Sequence, residues 1–306
     1  MIGANSTGEN VTRLPSPLVE LKDPFWNNQE IRLWVKRDDL IHPIVSGNKY
    51  RKLAFLMPEL ANNGYEGVLS FGGPNSNHAH ALAWMCRCYG VPLTLMIRSS
   101  VSHPQSATLE DVRTWGAEVR TIPPKQYREK DTIPMMRAWR ARYPGYLIIP
   151  EGGSHPKSLL GFKSMMEEVR EVLPKPDLFI CPVGTGATMA GMIKYKRDRE
   201  QVLGVSALKS STLFKDLNAR WKLDRFQGWT LAEQWHFGGY GKTPSSLLKF
   251  VKWFEEVYSI RLDPIYSGKA MFAFFEYVKY QLIPPGSQVV FLHTGGLQGW
   301  RGIAGQ

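Results

Sequence analysis

Apolar and polar positions along this chain follow two periods. Short runs such as LTLMI at 93–97 and QVVFL at 288–292 are almost continuously apolar, as strands buried on both faces are. Longer stretches repeat apolar residues every three or four positions; Leu53, Leu56, Met57 and Leu60 would share one face of a helix. The pattern predicts strands at 67–71, 93–97, 118–121, 146–149, 178–181, 202–207 and 288–292. It predicts helices at about 49–62, 77–89, 106–115, 159–173, 188–199, 244–258 and 269–280. Strands alternating with helices indicate an α/β fold of parallel sheets with helices on both faces.

A chain of 306 residues exceeds the size at which one core keeps growing, so two lobes or one large α/β domain is expected. No repeat or low-complexity linker marks a boundary between lobes. The first residues, MIGANSTGENVTRLPSP, lack an apolar leader, and no apolar run reaches the roughly 18 residues that span a bilayer, so a soluble, cytoplasmic protein without membrane partners is expected. Cys86, Cys88 and Cys181 are too few for a disulfide framework. Cys86 and Cys88, two apart on a helix, diverge, so no metal site is expected. Lys and Arg outnumber Asp and Glu by 38 to 27, but the surplus is scattered and no zinc, RRM or helix-turn-helix pattern accompanies it. That points to small anions and away from nucleic acid.

Four segments place small residues and hydroxyls where a strand hands over to a helix: SFGGPNSNHAH at 70–80, PEGGSHPKS at 150–158, PVGTGATMAG at 182–191 and FLHTGGLQG at 291–299. Ligands of open α/β sheets bind at the carboxyl ends of strands, so one shared cleft is expected. Gly184, Thr185, Gly186, Ala187 and Thr188 would offer backbone N–H groups and a helix N-terminus to a phosphate; a glycine-rich turn without a ligand is the alternative. Met192 and Ile193 follow Gly191 where a Walker loop needs Lys and Ser or Thr. Met189 stands where a dinucleotide fingerprint needs glycine, and the strand ending VSALK offers no acid for a ribose. A cofactor with a single phosphate suits the loop better. VSGNKYRKL at 45–53 adds two lysines, Lys49 and Lys52, either of which could face the cleft or water.

Taken together, SGNKYRKL, FGGPNSNHAHALA, EGGS, VGTGAT, DPIYSGKAM and HTGG resemble, in order and spacing, the pyridoxal-phosphate enzymes grouped as 1-aminocyclopropane-1-carboxylate deaminases and D-cysteine desulfhydrases, of the tryptophan-synthase-β fold type. The resemblance runs from about 15 to 299. It implies pyridoxal 5′-phosphate as cofactor, bonded through Lys49, with Lys52 a solvated or structural charge. It implies a smaller domain at 48–155 inserted in a larger one formed by 1–47 and 156–306, and a homodimer. Gly184 to Thr188 would cup the phosphate, and Asn77 would bond the ring's 3′ oxygen unless it serves as a helix cap. Ser76, His78, His80 and Tyr266 join Asn77 on the substrate side. His80 stands where relatives often carry Arg, so it is either a weaker carboxylate contact or a core histidine.

The resemblance also separates two reactions. Members that open the cyclopropane ring carry Glu after the Tyr of the YSGK motif and Leu after the late His, whereas this chain has Ser267 and Thr294. A neutral hydroxyl at the ring nitrogen makes a shallower electron sink, adequate when an α-proton leaves and a good leaving group departs from the β-carbon. The expectation is α,β-elimination on a small amino acid of the D-cysteine type, giving pyruvate, ammonia and sulfide. Cyclopropane deamination and a catalytically silent protein that binds pyridoxal phosphate or another anion are the alternatives. Trp235, His236 and Phe237 would either line the entrance or fill the core, and Trp300 would alter the pocket.

Overall fold

In the computed structural model, which describes residues 12–303, two parallel sheets face one cavity with the ends of their strands. The chain opens with β1 (Leu18–Leu21), α1 (Pro24–Asn27) and β2 (Arg32–Lys36), then α2 (Gly47–Leu53) and α3 (Met57–Asn62). A second unit follows: β3 (Gly67–Gly72), α4 (Asn77–Tyr89), β4 (Leu93–Arg98), α5 (Ala107–Thr114), β5 (Glu118–Ile122), α6 (Pro124–Arg128), α7 (Ile133–Arg142) and β6 (Tyr146–Ile149). The remainder is α8 (Leu160–Val172), β7 (Leu178–Val183), α9 (Ala187–Tyr195), β8 (Gln201–Ser206), α10 (Leu213–Trp221), β9 (Trp229–Ala232), α11 (Ser245–Tyr258), α12 (Ser267–Lys279) and β10 (Gln288–Leu292).

The larger sheet has the order β1-β2-β10-β7-β8-β9, all parallel except the β1–β2 pair. The smaller, all parallel, runs β5-β4-β3-β6, so its strands come from the middle of the chain and those of the larger sheet from both flanks. Residues 1–11 and 304–306, which include most of the segment read for a leader and both ends of the expected larger domain, lie outside the described residues.

Side chains alternate across each strand, so β10 feeds two cores at once. Val289 and Phe291 pack with Val251 and Phe254 of α11 and Met271 and Phe274 of α12. Val290 and Leu292 pack with Phe162 of α8, Met189 of α9 and Leu217 of α10. The small sheet divides in the same way. Val68 and Leu95 meet α2 to α5, while Leu69, Phe71 and Met96 meet Tyr127 of α6 and Trp139 of α7. Each large apolar side chain so buried contributes about 1.5–3 kcal/mol.

The predicted helix at 49–62 is two helices. Pro58 brings no N–H to the ladder and its ring crowds the carbonyl four residues back, so the chain turns at 54–56, where Leu56 N–H reaches Leu53 O at 2.8 Å. The helix expected to reach 199 stops at Tyr195, with Lys196 extended. Trp235 and Phe237 pack on the core, with ring centroids 5.3 Å from Tyr277 and 5.0 Å from Phe272. Trp300 likewise lies against the core and donates to Leu262 O at 2.9 Å. No helix of the described residues is long and apolar enough to cross a membrane.

Candidate active site

A cavity of about 410 Å³ lies between the sheets, and its walls come from the carboxyl ends of β3, β4, β6, β7 and β10 and from α2. Lys49 reaches it because α2 begins hard against the end of β10. Gly47 has φ +63°, and a Cβ there would stand 1.9 Å from Thr294 O, so only glycine permits the approach. Asn48 N–H then bonds the same carbonyl at 3.3 Å. Burial pulls the Lys49 amine down to about 8, opposed by the charges of Asp263 and Glu151. A substantial neutral fraction near neutral pH makes it a nucleophile and a base.

Lys52, expected to be solvated or structural, is almost fully buried and also lines the cavity, where its Nζ donates to Gly152 O at 3.0 Å. Burial, and then the like charge of Lys49, hold its ammonium well below the ordinary lysine range. A dianion placed beside it would reverse that penalty.

The segment 184–188 supplies the anion cradle. Gly186 caps α9 at φ +82°, and a Cβ there would stand 2.1 Å from Leu217 Cδ2; a Cβ on Gly184 would press on the Tyr266 ring at 3.1 Å. No side chain caps α9, so its first N–H groups remain for a ligand. Ser154 Oγ donates to Thr185 Oγ1 at 2.6 Å and Asn48 Nδ2 to Thr188 Oγ1 at 2.9 Å, leaving both threonine protons free to donate. Hydroxyl donors, helix N–H groups and Lys52 together fit one phosphate, and Lys49 fits an aldehyde beside it. Gly186→Ala is expected to weaken cofactor binding about tenfold or more, since positive φ costs about 1–2 kcal/mol before the Leu217 clash is counted; fluorescence titration of the apo-protein checks it.

The opposite wall is built by α4. Ser76 caps it, its Oγ accepting from Ala79 N–H at 3.2 Å, so the N–H groups of Asn77 and His78 have no partner within the helix. They present a site for a carboxylate. Ser70 Oγ gives its proton to Ile149 O at 2.7 Å, so His78 Nε2–H must donate to Ser70 at 2.9 Å. Burial and the charges of Lys49 and Lys52 keep that ring neutral. Tyr266 lies across the cavity near Tyr240, with ring centroids 6.0 Å apart; burial, then Tyr240, Asp263 and Glu151, push its phenol well above the ordinary range, so it keeps its proton.

Three expected site residues lie elsewhere. His80 does not line the cavity: its Nε2 pairs with Asp111 at 3.0 Å, where α4 meets α5. Ser267 is fully buried outside the lining, with its Oγ accepting from Asp263 N–H at 2.8 Å, so of Ser267 and Thr294 only Thr294 lines the cavity. Ala187 turns its methyl into the core and offers only its backbone. The residues that sequence reasoning missed are Arg98, Glu151, Tyr240 and Asp263. Arg98 directly follows a predicted strand end and Glu151 stands two positions past another, which was a usable signal; nothing comparable marked Tyr240. Asp263 accepts from the N–H groups of Ile265, Tyr266 and Ser267 at 2.9, 2.8 and 3.1 Å, yet burial still lifts its carboxyl to about 6.

Residues 11–295 match the family model described as pyridoxal-phosphate dependent enzyme. The chain belongs to that family. Its cofactor is therefore pyridoxal phosphate, for which the cradle and the two lysines are suited. A Thermotoga maritima protein provisionally named 1-aminocyclopropane-1-carboxylate deaminase is 30% identical, over 93% of this chain and 95% of its own. The Arabidopsis thaliana protein named as a mitochondrial bifunctional D-cysteine desulfhydrase and 1-aminocyclopropane-1-carboxylate deaminase is 28% identical, over 95% and 78%. A solved ACC deaminase homologue superposes with TM-score 0.80 at 24% identity, covering 95% of this chain and 92% of that one, which establishes the two-sheet fold.

Proposed function

We propose that the protein catalyses α,β-elimination on a small amino acid, with D-cysteine the leading substrate and pyruvate, ammonia and sulfide the products. The observation that carries this is the pairing of a hydroxyl, Thr294, at the cavity with Ser267 in the place where cyclopropane-opening members carry a carboxylate. The carboxylate of the same wall, Asp263, has its oxygens committed to the N-terminus of α12.

Bound pyridoxal phosphate supplies an electron sink for the substrate's α-carbon. The chain does the rest. Ser76 and the free N–H groups of Asn77 and His78 hold the carboxylate. Lys49 takes the α-proton. The Cβ–S bond breaks with its electron pair on sulfur, which leaves as hydrosulfide, and Tyr266, which keeps its proton, donates a hydrogen bond to it. Released 2-aminoacrylate hydrolyses in water to pyruvate and ammonia. Lys269, itself buried, donates to Gly239 O at 2.7 Å and so fixes the segment that carries Tyr240.

Incubating the purified protein and cofactor with D-cysteine is expected to release sulfide and pyruvate in equal amounts. Turnover of 1-aminocyclopropane-1-carboxylate with no keto acid from any β-substituted D- or L-amino acid would overturn this reading in favour of the deaminase. No turnover of either class would leave a silent binding protein. The reading includes a homodimer in the cytoplasm. Light scattering on the purified protein tests the dimer.

A further inference from the structure

The turn that follows β10 grips the helix that carries Asn77. Gly295 and Gly296, at φ +67° and +83°, reverse the chain, and a Cβ on Gly296 would lie 2.5 Å from Asn77 Nδ2. The next turn, Leu297–Gly302, is then tied down at three points: Gln298 Nε2 donates to Asn77 Oδ1 at 2.9 Å, Trp300 Nε1 to Leu262 O at 2.9 Å, and Arg301 to Asp111, the carboxylate that also holds His80 of α4.

We propose that Gln298 is a positioning residue that locks the Asn77 amide with its N–H edge available to the cofactor. An amide can present either oxygen or nitrogen to a neighbour. With Gln298 donating to Oδ1, a flip of Asn77 alone would set two NH₂ groups against each other, so the amide can reverse only if Gln298 turns with it. Gly296 makes room for the Nδ2 edge. Locked in this way, Asn77 donates to an oxygen that carries negative charge when ionised, and a donor there favours the ionised form. The lock spans the two sheets, since Gln298 follows the central strand of the larger and Asn77 begins the helix after β3 of the smaller. The inference rests on the reading that Asn77 faces the ring's 3′ oxygen.

The test compares holoenzymes of the wild type, Gln298→Glu, Gln298→Met, Asn77→Ala and the double variant Asn77→Ala with Gln298→Glu. Gln298→Glu turns a donor into an acceptor, so Asn77 flips to satisfy it. It is expected to move the pH midpoint of the cofactor's visible band upward by about one pH unit and to weaken cofactor binding about tenfold, as Asn77→Ala does. Gln298→Met, which lets the amide swing without forcing the flip, falls between. In the Asn77→Ala background Gln298→Glu adds nothing, because the two act as one unit. A Gln298→Glu spectrum and midpoint equal to wild type would overturn the proposal, as would an effect of Gln298→Glu that persists without Asn77. If Asn77→Ala itself leaves the band unmoved, the reading of Asn77 fails and the lock with it. Equal sulfide release from wild type and the two Gln298 single variants alongside displaced midpoints still supports the lock, which acts on the cofactor's ionisation.

Discussion

Lys49→Ala is expected to abolish the cofactor's visible band and to cut turnover by about 10⁴-fold or more. The residue has two duties at one atom, bonding the cofactor's aldehyde and carrying the substrate's α-proton, and no neighbour can assume both. Lys52 is three residues further on, but its Nζ is held by Gly152 O and its place beside the phosphate cradle makes it a binding charge. The pH dependence distinguishes the role. With the amine at about 8, the reactive neutral form grows about tenfold per pH unit below that value and levels off above it. Mixing apo-protein with pyridoxal phosphate across this range and following the band should trace that curve. The apo-variant should melt no lower than wild type, because a buried amine with a depressed pKa costs folding stability at every pH below its unfolded value, most fully below about 8.

The second large effect concerns stability. Arg51, between the two active-site lysines in sequence, points away from the cavity into a buried ion cluster. Its guanidinium meets Asp38 at 3.0 and 2.8 Å and Glu168 at 2.5 and 2.8 Å, while Lys36 meets Glu168 at 2.7 Å. Asp38 is fully buried, and without Arg51 its remaining side-chain partner is the Ser16 hydroxyl at 2.6 Å. Arg51→Met leaves that charge exposed to a dry interior, a loss of about 3–5 kcal/mol, or about 6–10 °C in melting temperature. Burial raises the carboxyl of Glu168, but the bonds to Arg51 and Lys36 outweigh it and hold it below the usual range. Its contribution is present above the ordinary carboxylate pKa and is lost as pH falls through the lowered one, so melting curves of wild type and variant should converge in acid. Arg51→Lys keeps the charge but lacks the two-pronged geometry, and should recover only part of the difference.

These two residues show what could be read from the chain alone. The strands at 93–97 and 288–292 were legible because both faces are buried and all but one position of each is apolar. β2 was not, because it includes Lys36, whose burial depends on a glutamate 132 positions away. β9 was missed because it is four residues long and only Ala232 of it is buried. In the site, glycines and hydroxyls were visible because their spacing marks turns. Side-chain direction was not: His80 follows Asn77 by three positions, and only the placement of α5 turns it toward Asp111 and away from the cleft. Ser267 has the same history, since its hydroxyl is claimed by Asp263 four residues earlier.

The place of β10 constrains how the molecule can be made. A ribosome delivers the small sheet complete once 149 residues have emerged, and that unit can begin to fold during synthesis. The larger sheet cannot close at that stage, because β10, the strand that joins β2 to β7, follows every other strand of the described residues in the chain. Thr294, Gly295 and Gly296 arrive with it. A nascent chain therefore cannot complete the wall that Thr294 and Gly295 give the cavity until β10 has left the exit tunnel.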